Sequence, residues 1–484
     1  MAQVDKSTIR TEVSKIKADF EKMCESGKVT GEIKFLMSSM FMIMELMLSI
    51  FLEKKTRKDN KNSSIPSSQT DKDESALDPR QGSNGKGKKE NNQSVNNTRT
   101  TETVSIIDVF NCDSCGEDLS DVKSTDSERR TKIDIIFEKV VEHVDAQIKQ
   151  CPSCQTKTKG SFPKDMHGPL QYGNGLKAFV INLLVCQMVA LNRVQKLVKS
   201  MIDVTLCEAS LLKFTLRLHQ ALESWEISAK EELLKLPAMN VDETSLRVDG
   251  KNHWIHVCSS GDITLKYLHR GRGIKAIDEI DIVPRYGGVI IHDCWASYFS
   301  YKHCGHALCG SHLMRELTFI VESNGYAWAK NIKRLLKESC RTVSTSQEKK
   351  LSDQDYKNLL KRFRNIMTRG EKELPPIPAR TTGKRGRLAK SDAHNLWQRL
   401  KDNEGAVLMF AKDPHVPFTN NRAERDLRMA KVKQKVSGCF RTLQYAQAYC
   451  RISSYLQTMA SKGYNPLIAI QMALAGQVKN VGCE

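Results

Sequence analysis

Acidic residues are in short supply in this chain. Its 56 Asp and Glu face 75 Lys and Arg, which leaves a formal net charge of +19. An imbalance of that size argues for a polyanionic partner, because it concentrates phosphate groups near the surface and speeds encounter. Nucleic acid is the first reading and an anionic membrane surface the competing one. A cleavable signal-peptide pattern is also missing, so the 15 cysteines do not read as a secreted disulfide scaffold. They fit a reducing cytoplasm in which some of them hold metal. Uninterrupted apolar spans are lacking too. Only the run from Phe35 to Leu52 approaches bilayer length, and it carries Glu45 near its centre. A lone carboxylate is costly in lipid, whereas a self-associating helix leaves it at the edge of an apolar stripe. The expectation is an oligomerisation element and no membrane partner.

What is present divides the 484 residues into several segments. After Glu53 the sequence is polar and turn-rich, with Gln81-Gly-Ser-Asn-Gly-Lys-Gly-Lys-Lys89, too poor in apolar side chains to offset the entropy of ordering; it reads as a disordered basic linker. Two Cys-x-x-Cys pairs follow, Cys112/Cys115 and Cys151/Cys154, separated by a strand-like alternation around Ile133 to Val141. Four thiolates on two knuckle turns suit one tetrahedral structural Zn²⁺; four unligated thiols are the alternative. Residues 175 to 234 carry helical spacing. Arg193–Met201 and Glu208–Leu218 would form two helices about a turn, with Thr205 and Glu208 as a capping box. That pair is either a helix-turn-helix for a DNA major groove or a plain packed hairpin.

Beyond Pro237 the pattern becomes extended. Met239–Val248, His253–Cys258 and Ile263–Leu268 read as three strands joined by the turn dipeptides Asp249-Gly250 and Gly261-Asp262. A helical stretch over 274–281 and a buried strand, Gly288-Val-Ile-Ile-His-Asp293, come next. A right-handed crossover would lay that strand parallel to the first, bringing Asp242 beside Asp293. A third carboxylate, Glu424, opens a helix that starts after Thr419, Asn420 and Asn421 and also carries Arg428 and Lys431 on the same face. Three such acids can hold two Mg²⁺ ions (or Mn²⁺) for in-line phosphoryl displacement. Taken singly, each acid has a bland reading: a solvated turn residue, a helix cap, half of a capping box. Their order inside a basic chain favours the joint reading. Basic residues crowd around the third acid: Arg425, Arg428, Lys431, Lys433, Lys435 and Arg441 are candidates for phosphate contacts, as is Lys384-Arg-Gly-Arg387. Trp295 and Tyr298 offer faces for an unpaired base or for core packing. Cys309-Gly-Ser-His312, together with His303 or His306, is a weaker zinc candidate, its apolar surroundings favouring a packed or DNA-facing role.

These residues resemble the DDE-type transposases of the insertion-sequence 66 family. The resemblance rests on Asp242-Glu-Thr, His292-Asp-Cys-Trp295-Ala-Ser-Tyr298, Asn420-Asn-Arg-Ala-Glu424-Arg-Asp-Leu-Arg428 and Lys435-Val-Ser-Gly-Cys-Phe-Arg441, with weaker matches at Lys61-Asn-Ser-Ser-Ile-Pro-Ser-Ser68, Gly168-Pro-Leu-Gln-Tyr-Gly173 and Tyr455–Pro466. Gln155 departs from it, standing where a second knuckle glycine is usual, and so does Cys439. The resemblance implies an α/β fold: an RNase H-like catalytic core with a helical insertion, plus zinc-binding and helical DNA-binding domains. It implies a prokaryotic cytoplasmic enzyme that cuts the ends of a mobile element and joins them to target DNA. Asn421 then joins the DNA-binding residues, and His312, in a Cys-x-x-His after the second acid, lies near the scissile DNA as a catalytic candidate. The expected segments are 1–56 helical and self-associating, 57–104 linker, 105–160 zinc-binding, 161–236 helical and DNA-binding, 237–308 core, 309–404 helical insertion, 405–440 core with Glu424, and 441–484 C-terminal helices. Double-stranded DNA, a homo-oligomer and accessory proteins of the same element are the implied partners. Two rival readings stand beside it: a nuclease that cuts without joining, and a non-catalytic DNA-binding protein.

Overall fold

The computed structural model describes residues 6–26, 29–51, 104–377 and 390–478. The expected linker and the basic run 384–387 lie outside these residues. In chain order come helices α1 (Lys6–Glu25) and α2 (Gly31–Phe51), short strands β1 (Ile148–Gln150) and β2 (Lys157–Lys159), and helix α3 (Asn174–Ile181), which continues into a π-helical turn. Helices α4 (Leu191–Ile202), α5 (Glu208–Ala221) and α6 (Glu223–Leu234) precede strands β3 (Ala238–Val248), β4 (Lys251–Ser260) and β5 (Ile263–His269). Then come α7 (Ile274–Ile280), β6 (Val289–His292), β7 (Gly305–Leu308), α8 (Gly310–Asn324), α9 (Ala327–Thr345), α10 (Asp353–Glu371), α11 (Asp392–Asp402) and α12 (Glu404–Lys412). The chain closes with α13 (Asn421–Ser437), α14 (Leu443–Ser461) and α15 (Pro466–Leu474). The protein is thus mixed α/β, with a mixed sheet and many helices. Contacts divide it into two compact units. One is built on the described parts of Met1–Lys88, Ser228–Leu246 and Lys251–Lys431, the other on those of Lys89–Ile227, Arg247–Gly250 and Val432–Glu484.

The first unit is organised by a five-stranded sheet of order β5-β4-β3-β6-β7. Strands β4 and β5 are antiparallel, whereas β6 runs parallel to both β3 and β7. Asp249 and Gly250 both adopt positive φ, 49° and 70°, the left-handed pair that suits a tight hairpin between twisted strands. The helices α8 to α12 build a core with the sheet: Ile291, Ala307 and Leu308 meet Leu313, Leu317, Trp328, Ile332, Leu336, Phe363, Leu396, Trp397 and Leu408, all buried. The helical spacing of Trp328, Ile332, Leu335 and Leu336 places them on one inward face of α9. Each such side chain contributes roughly 1.5–3 kcal/mol through removal from water. Strand β7 is absent from the reading of the sequence, because four residues opening on glycine carry no period to detect. In α2, Phe41 is buried against Phe20 of α1, while Phe35, Leu36 and Ile43 stay exposed. No helix among the described residues is long and apolar enough to cross a membrane.

The second unit packs α3, α5, α14 and α15 together. Trp225 and Tyr455 meet edge to face at 5.1 Å between centroids, and Arg451 pairs with Glu226 at 2.7 Å. Helices α4 and α5 flank a turn closed by Gln195 Nε2 donating to the Leu206 carbonyl at 2.7 Å. The Thr205 capping box does not form. Cys207 is the N-cap, so Glu208 is the first helical residue rather than the third, and its side chain is out of register for a box. The alternation around 133–141 is not a strand either. Those residues have no regular structure and Ile133, Ile135 and Ile136 are exposed, for the alternating segment has no partner to pair with.

Candidate active site

Parallel pairing of β3 with β6 fixes Asn240 opposite Ile291. Continuing that register by two residues sets Asp242 level with Asp293. Asp293 leaves the end of β6 in a tight turn, its Oδ1 accepting the Trp295 N–H at 3.1 Å, and the intervening Cys294 takes a φ of 73°. A non-glycine residue held there stores backbone strain, of the sort found where a turn must aim a side chain.

The third acid arrives on α13, and the start of that helix is locked to the strands. Asn420 is 1% exposed. Its Oδ1 accepts from Asn240 Nδ2 at 2.8 Å, its Nδ2 donates to the Val241 carbonyl at 2.8 Å, and its backbone N–H donates to Cys309 Sγ at 3.2 Å. Gly310 N–H donates to the Phe418 carbonyl at 2.8 Å, and a Cβ at Gly310 would fall on the Phe418 ring, so only glycine admits this approach. Further along, Asp426 accepts from Ser259 and Thr264 of the sheet, and Arg422 donates to the Gly261 and Ile263 carbonyls. Glu424 therefore sits in the first turn of an anchored helix, where the helix dipole favours a negative charge.

The three acids lie within electrostatic range of one another. Burial first, then Glu243, Asp293 and Glu424, hold the Asp242 carboxyl well above the usual carboxylate range. Crowded carboxylates of this kind are relieved by a cation. Glu424 Oε1 is buried without a hydrogen-bond partner, a second sign that a positive group belongs here. His312 Nδ1 lies 3.6 Å from Glu424 Oε1 and Arg315 Nη2 3.8 Å from it, both from the first two turns of α8. Burial, with Arg315 beside it, lowers the His312 imidazole below its usual pKa. An all-oxygen set of Asp242, Asp293 and Glu424 fits hard divalent ions such as Mg²⁺.

Two neighbours have no role in the reading of the sequence: Glu243, inside the Asp242-Glu-Thr motif, and Arg272, in a glycine-flanked turn. Glu243, its side chain 1% exposed, accepts from Arg272 Nε at 2.6 Å and from the Tyr298 hydroxyl at 2.8 Å. Arg272 stacks over Trp295 at 3.8 Å and over Trp254 at 5.0 Å, and its Nη2 lies 4.0 Å from Asp293 Oδ2. One face of Trp295 is thereby covered. Tyr298 is 2% exposed and has no face to offer a base; it belongs to the packing around Glu243.

Among the expected DNA-binding residues, Asn421, Arg425, Arg428, Lys435 and Arg441 are exposed. Lys431 is not free for phosphate. It is half-buried and its ammonium donates to the Ser245 carbonyl and hydroxyl. In the cysteine segment, each pair forms its own turn: Gly116 N–H donates to the Cys112 carbonyl at 2.8 Å and Gln155 N–H to the Cys151 carbonyl at 2.9 Å. Gln155 adopts the left-handed φ of 58° that Gly116 adopts at 78°, so the second knuckle closes without glycine. The four sulfurs are not gathered at metal-ligand spacing. Among the described residues that spacing is met by Cys309, His312 and Glu424. Neither His303, held by the Val283 carbonyl, nor His306, held by His292, joins Cys309.

Compared with known families, residues 169–448 match the model described as Transposase IS66 family. No curated protein matches the chain.

Proposed function

This chain belongs to the transposase IS66 family, the match covering more than half of its length, and from that premise we propose that it is a DDE transposase that cleaves the ends of a mobile element and joins them to target DNA. The single observation carrying the reading is the convergence of Asp242, Asp293 and Glu424 from two parallel strands and one anchored helix. The sheet order, with the first two acids on adjacent strands, supports an RNase H-like core spanning 237–308 and 405–440, interrupted by the helical stretch 309–404.

Asp242, Asp293 and Glu424 would hold two Mg²⁺ or Mn²⁺ ions, which when bound supply charge neutralisation to the attacking and leaving oxygens of an in-line displacement. The rest falls to side chains of the chain itself. Arg425 and Arg428, exposed on the helix that carries Glu424, are set to take DNA phosphates, and Asn421 and Trp295 flank the same approach. His312 and Arg315 hold Glu424 from the α8 side. No side chain forms a covalent intermediate. Water attacks at the element end, and the freed 3′-hydroxyl then attacks a target phosphodiester, so the protein's work is alignment and charge neutralisation.

Around this core, we assign Cys112, Cys115, Cys151 and Cys154 to one structural Zn²⁺, which would draw the two matching turns together, and α4–α5 to DNA contact. The exposed Phe35, Leu36 and Ile43 support self-association through α2. The test is purified protein with Mg²⁺ and labelled DNA carrying the element's ends. Joined products that vanish on chelation are expected. Cleavage without joining would mean a nuclease, and metal-independent function would mean a DNA-binding protein without catalysis.

A further inference from the structure

Cys309 is the N-cap of α8 and is fully buried, yet it is not merely packed. Its sulfur accepts the Asn420 N–H at 3.2 Å. Burial raises the Cys309 thiol above its usual pKa and Glu424 adds to this, while the N–H groups of Asn420, His312 and Ser311 oppose it. One turn along the same helix is His312, and facing both is Glu424. The ligand atoms of the three residues all lie within 4.8 Å of one another. Two of those atoms, His312 Nδ1 and Glu424 Oε1, are buried and make no hydrogen bond; their charged neighbours are each other at 3.6 Å and, for Glu424, Arg315 Nη2 at 3.8 Å. Unpartnered buried polar atoms are rare and costly, and two of them 3.6 Å apart beside a sulfur converge on a common point.

We infer that Cys309, His312 and Glu424 form a binding site for a thiophilic divalent cation of the zinc class, separate from the magnesium pair but sharing Glu424 with it. The inference rests on the reading of Glu424 as a magnesium ligand only for its functional consequence. A tetrahedral ion bonds sulfur at about 2.3 Å and nitrogen or oxygen at about 2.0–2.2 Å, so its ligand atoms stand about 3.4–3.6 Å apart. Small side-chain rotations reach that from the spacing present. Charge also fits. A thiolate and a carboxylate balance a dication, and the thiol proton leaves to solvent as the sulfur–metal bond forms. The Glu424 side chain is 34% exposed and that of His312 14%, which gives an ion a way in and leaves a fourth coordination position toward solvent. Sulfur and imidazole select Zn²⁺ or Co²⁺ over Mg²⁺, which requires oxygen ligands and sheds water reluctantly.

Because one carboxylate serves both sites, zinc at Cys309 withdraws Glu424 from the magnesium pair. Micromolar Zn²⁺ is expected to slow Mg²⁺-supported joining in the wild type by about tenfold once it stands tenfold above its dissociation constant. Cys309→Ser, measured against its own Mg²⁺-only rate, is expected to lose most of that inhibition.

The direct test does not use activity. Metal-stripped full-length protein is titrated with Co²⁺ and followed by the thiolate-to-cobalt charge-transfer absorption. The wild type should bind one more ion than Cys309→Ser, with a difference band that Zn²⁺ abolishes and millimolar Mg²⁺ does not. His312→Ala, which keeps the thiol, should lose the same ion. Identical spectra and stoichiometry in wild type and a Cys309→Ser protein with native circular dichroism would overturn the site. If that variant does not fold, retention of the extra ion in His312→Ala does so, and a wild type that binds no Co²⁺ through sulfur does so whichever variants fold. A Cys309-dependent ion in a protein that never joins DNA leaves this site standing and removes the transposase reading; joining without that ion does the reverse.

Discussion

Arg272 does three things at once: it neutralises the buried Glu243, covers Trp295 and stands 4.0 Å from Asp293. A guanidinium held by a carboxylate and two indoles loses little freedom on being so placed, and lysine cannot reproduce the flat stack. Arg272 is thus a positioning residue for Asp293 and the turn after it. Arg272→Ala is expected to lower the rate of joining by about 10- to 100-fold, equivalent to roughly 1.4–2.7 kcal/mol of transition-state stabilisation. Arg272→Lys should recover only part. The Mg²⁺ concentration for half-maximal rate should not rise, since the change removes a cation that competes for Asp293; a rise in that concentration with an unchanged maximal rate would contradict the role. The sequence pattern singles out Asp242, Asp293 and Glu424 because each sits at a recognisable boundary, a strand, a strand end and a helix start. Arg272 escapes it. Within Arg270-Gly-Arg-Gly273 it reads as a solvated turn, and only the fold brings Glu243, Trp254 and Trp295 around it.

At the level of elements, the junction of α13 with β3 decides where Glu424 points. Asn420 satisfies two buried groups, Asn240 Nδ2 and the Val241 carbonyl, and Asn420→Ala would leave both unpaired. Each orphaned group costs about 1–3 kcal/mol, so a total destabilisation of about 2–6 kcal/mol is expected in denaturant unfolding of the unit, with joining reduced even where the variant is folded. Unfolding midpoint and joining rate both near wild type would remove Asn420 from the account. Legibility follows the same physics. The three strands from Met239 onward and the parallel return of β6 were readable from turn dipeptides and from a crossover of adequate length. Strand β7 was too short. Around Ile133 the alternating pattern is clear but has no partner, and Glu208 sits two positions too early in its helix for the capping box. Local pattern proposes an element; pairing and register decide it.

For the molecule as a whole, the excess of 19 positive charges is a property of the composition, and its direction toward DNA is given by the family to which the chain belongs. Exposed Arg425 and Arg428 on the helix of Glu424 put part of that charge beside the acids. Lys431, spent on Ser245, warns that a basic cluster in sequence overstates the charge free to meet phosphate. The central claim is that three carboxylates carry the chemistry. It is tested most directly by single-turnover joining of pre-cut element ends with Mg²⁺, comparing wild type with Asp242→Asn, Asp293→Asn and Glu424→Gln while DNA binding is measured on the same proteins. Each variant is expected to bind DNA nearly as the wild type does and to yield no joined product. Joining near the wild-type rate by any one of them would contradict the account at that residue.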